Sequence, residues 1–204
     1  MSHYVYIYSL KSANNHWYRS FRFGPSVYIR TKRLSMNTHF EVLANYYAYD
    51  FEDLSPGIDS YSIRYISCED SSSIVLGRNL SLQTKVKIRY YEQGMLFWGE
   101  FAESPQNSSN ENFFKAIIFY NTDDDMSFGF GARYFLINQK NIGLYSMNSS
   151  AYYQISYAPE TILNINFDSG ISIEFRGWYE FQKTKNDKNF REIPNLLLLT
   201  RINI

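Results

Sequence analysis

Across 204 residues, 20 Lys+Arg balance 20 Asp+Glu, so the chain carries no basic field of the kind nucleic acid requires. Aromatic residues make up 19%, with 19 Tyr and 16 Phe, yet no run approaches the roughly 18 apolar residues of a spanning helix, which excludes a bundle of membrane helices. The single Cys68 excludes an intramolecular disulfide framework.

Strand candidates follow one another with almost no helical periodicity between them. Met1 to Leu10 lacks the basic start, long apolar stretch and small-residue cleavage site of a secretory signal, and Tyr4 to Leu10 reads as a strand instead. In Ser20 to Arg33, Phe21, Phe23, Val27 and Ile29 oppose Arg22, Ser26, Arg30 and Lys32. In Asn37 to Asp50, Phe40, Val42, Ala44, Tyr46 and Ala48 alternate with His39, Glu41 and Asn45. Pro56-Gly57 marks a turn, and Ser60 to Cys68 is the next strand.

Leu80 to Tyr91 places Leu80, Leu82, Val86, Ile88 and Tyr90 on one side and Ser81, Gln83, Lys85, Lys87 and Arg89 on the other. Gln93-Gly94 is expected to reverse the chain into a strand over Met95 to Glu103, and the polar stretch Ser104 to Glu111 has the composition of a surface loop. Phe113 to Asn121 and Met126 to Asn138 form a hairpin about Thr122 to Asp125, and Asn138 to Asn148 reads as a loop. Ala151 to Tyr157 and Thr161 to Phe167 follow, joined at Ala158-Pro159. In Gly170 to Lys183, Ile171, Ile173, Phe175, Tyr179 and Phe181 share one side, and Ser172, Glu174, Arg176, Glu180 and Gln182 the other. Asn195 to Ile204 closes the chain as a strand.

One face of each clear strand is thus apolar and uncharged, while the other carries acids, bases and amides. Lipid outside and water inside demand that pattern of a transmembrane β-barrel strand. The strands 20–33, 80–91 and 170–183, with the terminal run Asn195-Leu-Leu-Leu-Leu-Thr-Arg-Ile-Asn-Ile204, resemble bacterial outer-membrane β-barrel proteins in general. That group commonly ends on an aromatic residue, where this chain has Ile204. The resemblance implies an all-β fold: an antiparallel up-and-down transmembrane β-barrel of roughly ten to twelve strands, formed as one domain over residues 1–204. It implies a location in the bacterial outer membrane and a role as a small pore or as a membrane scaffold. The partners implied are outer-membrane lipid and other membrane or periplasmic proteins, and no nucleic acid.

In such a barrel Arg22, Arg30, Lys32, Glu41, Lys85, Lys87, Arg89, Glu100, Arg133, Glu174, Arg176 and Glu180 line the lumen. They would form either a mildly cationic aqueous pore that favours anionic solutes or a salt-bridge network that plugs a narrow barrel. The recurrent Tyr46, Tyr47, Tyr49, Tyr61, Tyr65, Tyr90, Tyr91, Tyr152, Tyr153, Tyr157, Trp178 and Tyr179 are expected to form girdles at the lipid headgroups. A soluble secreted β-sandwich or lipocalin-like barrel that binds carbohydrate or another ligand is the alternative. There the Ile171/Phe175/Phe181 and Leu82/Val86/Ile88 rows would pack against each other as a core.

Nothing in the pattern points to catalysis. His3, His16 and His39 match no metal-ligand or triad spacing, although His39 lies two residues from Glu41. Cys68 is followed by Glu69 and Asp70, which disfavour a thiolate. Asp123-Asp124-Asp125 reads as a solvated turn without the spacing of a calcium loop. No enzyme activity, cofactor or metal is therefore expected.

Overall fold

The computed structural model describes residues 1–5, 14–52, 58–100, 102–123, 125–142, 150–167 and 170–202. They form one antiparallel sheet of eleven strands. The strands are β1 Ser2–Tyr4, β2 His16–Phe23, β3 Ser26–Arg30, β4 Leu34–Tyr49, β5 Tyr61–Val75 and β6 Leu80–Phe97. After these come β7 Ala102–Asp123, β8 Met126–Asn141, β9 Ser150–Asn166, β10 Ile171–Thr184 and β11 Arg191–Ile202. From β4 onward each strand pairs with its sequence neighbours, which is an up-and-down meander. The β2 and β3 segments both pair with β4 in one unbroken register, His16↔Tyr49 through Arg30↔Ser35, so they are a single run interrupted at Gly24-Pro25. Proline has no N–H to give to a ladder, which accounts for the interruption.

Several connections expected from composition are continuous strand instead. Gln93-Gly94 does not reverse the chain: β6 passes through it, and the shift in pairing there adds one residue to β7 opposite. Ser104 to Glu111 is not a loop but the first half of β7, and Met95 to Glu103 is divided between β6 and β7. Ala158-Pro159 is not a turn either, since β9 runs through it. The β9–β8 ladder includes Ala132↔Pro159, whereas the β9–β10 ladder skips Tyr179 and Glu180, which face Pro159 and Ala158. The donor that Pro159 lacks is thus missing on one side only. Polar composition suggests loops in water, but inside a barrel the wet face of a strand is equally polar. The expected strand at Tyr4–Leu10 lies mostly outside the described residues, as do Pro56-Gly57, Asn148 and Ile204.

With those strands joined, the connections sort by length with one exception. One rim carries 31–33, 76–79, 124–125 and 167–170, two to four residues each; the other carries 5–15, 50–60, 142–149 and 185–190, six to eleven residues each, and the four-residue 98–101. Short turns on one rim and mostly longer loops on the other are the arrangement of membrane barrels. Gly170 takes φ 78° in the last of the short turns, a left-handed conformation that suits glycine.

The sheet curls strongly. A single cavity of about 620 Å³ is lined by Ser35 of β4 and by Glu174 and Arg176 of β10, strands far apart in the meander. Among the described residues the outermost strands β1 and β11 do not hydrogen-bond to each other. Tight curvature between β7 and β8 depends on two glycines. A Cβ on Gly131 would collide with the backbone of Ala116 and Ile117, and Phe119 lies over Gly129. Gly131→Ala is expected to cost about 1–3 kcal/mol by overpacking. Gly177→Ala, where nothing stands closer than 3.6 Å, is expected to be neutral or stabilising. Denaturant unfolding of the two variants side by side measures the difference.

Candidate functional site: the charged interior wall

Paired residues in adjacent strands point to the same face, so the register carries one parity round the whole sheet. Starting from Phe23, the partners run Val42, Ile66 and Tyr90. On the later strands the same face carries Phe114, Tyr134, Tyr157, Phe181 and, further along, Phe175 and Leu198. This face is exposed: Phe130 is 58% and Leu196 82% accessible. The Phe175 and Ile88 rows lie on it and do not pack against each other. On the described residues, the cluster of buried apolar side chains is only Ile117, Phe119 and Ile162, all on the opposite, polar face.

That polar face is the enclosed one, and Glu160 of β9 is its most buried charge, with a side chain 0% exposed. Its carboxylate accepts from Lys115 Nζ of β7 at 2.8 Å and from Arg133 Nε of β8 at 3.0 Å. Arg176 Nε of β10 stands 3.5 Å away, and the same guanidinium donates to Glu174 at 2.6 Å. The Arg133 guanidinium also covers the Trp178 ring, 4.2 Å from its centroid. Three cations from three strands therefore converge on one buried carboxylate of a fourth, which satisfies a charge that could not otherwise leave water.

Of the twelve lumen candidates, ten lie on this face. Arg22 pairs with Glu41, and Arg89 with Glu111 at 2.5 Å. Lys85 reaches Glu69 at 2.7 Å, and Lys87 stands 4.0 Å from the same carboxylate. Arg30 is an exposed member of the same row, and Glu180 lies on the face beside Trp178. Two candidates are misplaced. Lys32 sits in the 31–33 turn instead of on a strand, because the chain reverses right after Arg30. Glu100 belongs to a single 3₁₀ turn, Trp98–Glu100, and lines a separate cavity of about 500 Å³ with Trp17, Tyr49, Asp50 and Glu52 at the long-loop rim.

The partners Glu69, Glu111, Lys115 and Glu160 were not among the candidates. Glu69 follows the expected end of its strand at Cys68, Glu111 falls in the presumed polar loop, and Glu160 adjoins Ala158-Pro159. Lys115 shares its face with Phe113, Ile117 and Phe119, so alternation within β7 does not reveal a polar side. The signal that finds all four is register with the neighbouring strands.

The aromatic residues also divide. Tyr46, Tyr90, Tyr153, Tyr157 and Tyr179 face outward, as a girdle requires. Tyr47, Tyr49, Tyr61, Tyr65, Tyr91, Tyr152 and Trp178 face inward, and Tyr47 stacks on Tyr61 at 4.6 Å. The strand period sends adjacent tyrosines such as Tyr46 and Tyr47 to opposite faces, so one girdle cannot hold them all. On the outer face near the long-loop rim, Arg64 pairs with Glu92 and with Glu103, the latter at 3.0 Å. The extra residue in β7 turns Glu103 to that side.

In the loop between β10 and β11, the Asp187 carboxylate accepts from the Thr184 hydroxyl at 2.7 Å and from Arg191 at 2.7 Å. The Thr184 hydrogen bond, then the Arg191 guanidinium, hold its pKa below the ordinary 3.8. The clamp is therefore complete above that value and is lost as pH falls through the lowered one. Among the described residues no cluster of His, Cys, Asp and Glu could hold a metal ion.

No protein-family model matches the chain, and no curated protein matches it. Among solved structures, the β domain of the Bordetella autotransporter Brka aligns with a TM-score of 0.44 and 8% identity, over 93% of this chain and 80% of that chain.

Replacing Glu160 by Ala strands three cations on a buried wall and is expected to cost about 3–5 kcal/mol. Adding Lys115→Met to that variant should recover part of the loss. Denaturant unfolding in detergent micelles measures both.

Proposed function

We propose that this chain is a bacterial outer-membrane β-barrel whose polar interior forms a narrow aqueous pore, with no catalytic role. The observation that carries the reading is the inverted surface. Exposed Phe, Leu, Ile and Val form a band across the face turned outward, and charges occupy the face turned in. Exposing that band to water would leave a contiguous apolar patch far larger than soluble monomers tolerate. Lipid removes the cost, and a barrel satisfies its backbone groups internally at membrane depth once the edges at β1 and β11 are joined. No helix among the described residues is long and apolar enough to cross a membrane, so crossing falls to the strands. The rim with connections of two to four residues is assigned to the periplasmic side.

The cavity of about 620 Å³, lined by hydroxyls, amides and ammonium groups, supports the pore. The ion-pair network around Glu160 favours a second reading, in which it braces a closed barrel that serves as a scaffold for membrane or periplasmic proteins. Planar-bilayer conductance decides between them: discrete channels are expected, and folded protein without conductance would favour the scaffold.

Two further outcomes follow from the membrane reading. The purified protein should need detergent and show heat-modifiable migration in detergent gels, whereas monodisperse protein without detergent would contradict it. Phe130→Arg on the lipid face should destabilise by about 2–4 kcal/mol, while Gln83→Arg on the interior wall should cost far less. Unfolding in lipid vesicles measures the pair.

A further inference from the structure

Three cations stand side by side on the interior wall. Lys85 of β6 is the cross-strand partner of Lys115 on β7, and Lys115 is in turn the partner of Arg133 on β8. Like charges directly opposite each other destabilise a sheet, so stability alone would not place them there. Their counter-charges come from the strands that flank the row, β5 on one side and β9 on the other. Glu69 of β5 serves Lys85 and Lys87, and Glu160 of β9 serves Lys115, Arg133 and Arg176. With Glu174 included, three carboxylates answer five cations, an excess of two positive charges in a chain whose formal net charge is zero.

The excess faces the cavity. Lys85, Lys115 and Arg176 line it together with Ser71, Ser81 and Gln83, which offer neutral donors beside the charges. Glu160 is wholly buried and Glu174 is tied to Arg176, so neither presents a free carboxylate to a passing cation. The Lys85 side chain is 46% exposed, and an ammonium has three donors, of which Glu69 takes one. Low-dielectric walls focus such a field along the cavity and raise the local anion concentration.

We propose that the Lys85–Lys115–Arg133 row, extended by Lys87 and Arg176, is an anion-selectivity filter that passes small hydrated inorganic or carboxylate anions. This inference rests on the pore reading and adds the class of solute. Cations are repelled by the unbalanced row, and anions exchange part of their hydration for ammonium, hydroxyl and amide donors.

The test is the reversal potential of single channels across a KCl gradient in planar bilayers. The wild-type protein is expected to favour chloride over potassium by roughly severalfold, as rings of basic side chains do. Lys85→Glu should lower that ratio at least roughly threefold, and Lys85→Arg should leave it unchanged. Lys85 is partly exposed and does not touch Glu160, and heat-modifiable migration of each variant verifies folding. Channels that prefer potassium, or a ratio unmoved by Lys85→Glu in folded protein, would overturn the filter and leave the pore intact. Folded protein without conductance would overturn both.

Discussion

Cross-strand register is the constraint on which everything else in this molecule depends. Each ladder ties the side-chain parity of one strand to that of the next, and a slip by one residue would exchange the apolar, outward-facing set for the charged one. The parity set at Phe23 and Val42 survives eight interstrand steps to Leu198 without inversion in the body of the sheet. Irregular pairings lie near strand ends, at Gln93/Gly94, Asn121/Asp123 and Gln139/Lys140. There they re-aim single side chains, as at Glu103, without disturbing the apolar band.

Given that register, the interior charges follow. Placing Lys115, Arg133 and Glu160 on one enclosed face makes a shared carboxylate necessary, since cations in cross-strand contact repel and buried charges need partners. Gly129 and Gly131 make the geometry possible, because they let β7 side chains and backbone come close where the wall bends. The bend that these glycines allow is the place where Lys115, Arg133 and Glu160 meet. Packing and electrostatics are not separable here.

The alternation of 170–183 and 80–91 was legible in the sequence, as was the all-β class, and ten of the twelve charged candidates share one face of the sheet. Alternation reports face directly when the two faces differ in polarity. It failed where both faces resemble each other, as around Lys115 in β7, and where a strand carries loop-like chemistry. Ser104 to Glu111 is polar because one side is wet and the other approaches the rim. Pro159 is tolerated because its missing donor breaks the ladder to β10 only. Tyrosine counts could not separate girdle from interior, since Tyr46 and Tyr47 are neighbours in sequence and opposites in space. Glu160 became visible only when pairing brought four strands together.

In the proposed barrel the apolar face of this sheet meets lipid and the charged face meets water. Nitroxide labels at successive positions 171–181 of β10, in a Cys68→Ser background reconstituted into vesicles, test it most directly. Odd positions such as Phe175 should be accessible to oxygen dissolved in the bilayer, and even positions such as Glu174 to a water-soluble nickel reagent, alternating along the strand. Odd positions shielded from both reagents would mean that the Ile and Phe rows form a core, and the inverted barrel would be wrong.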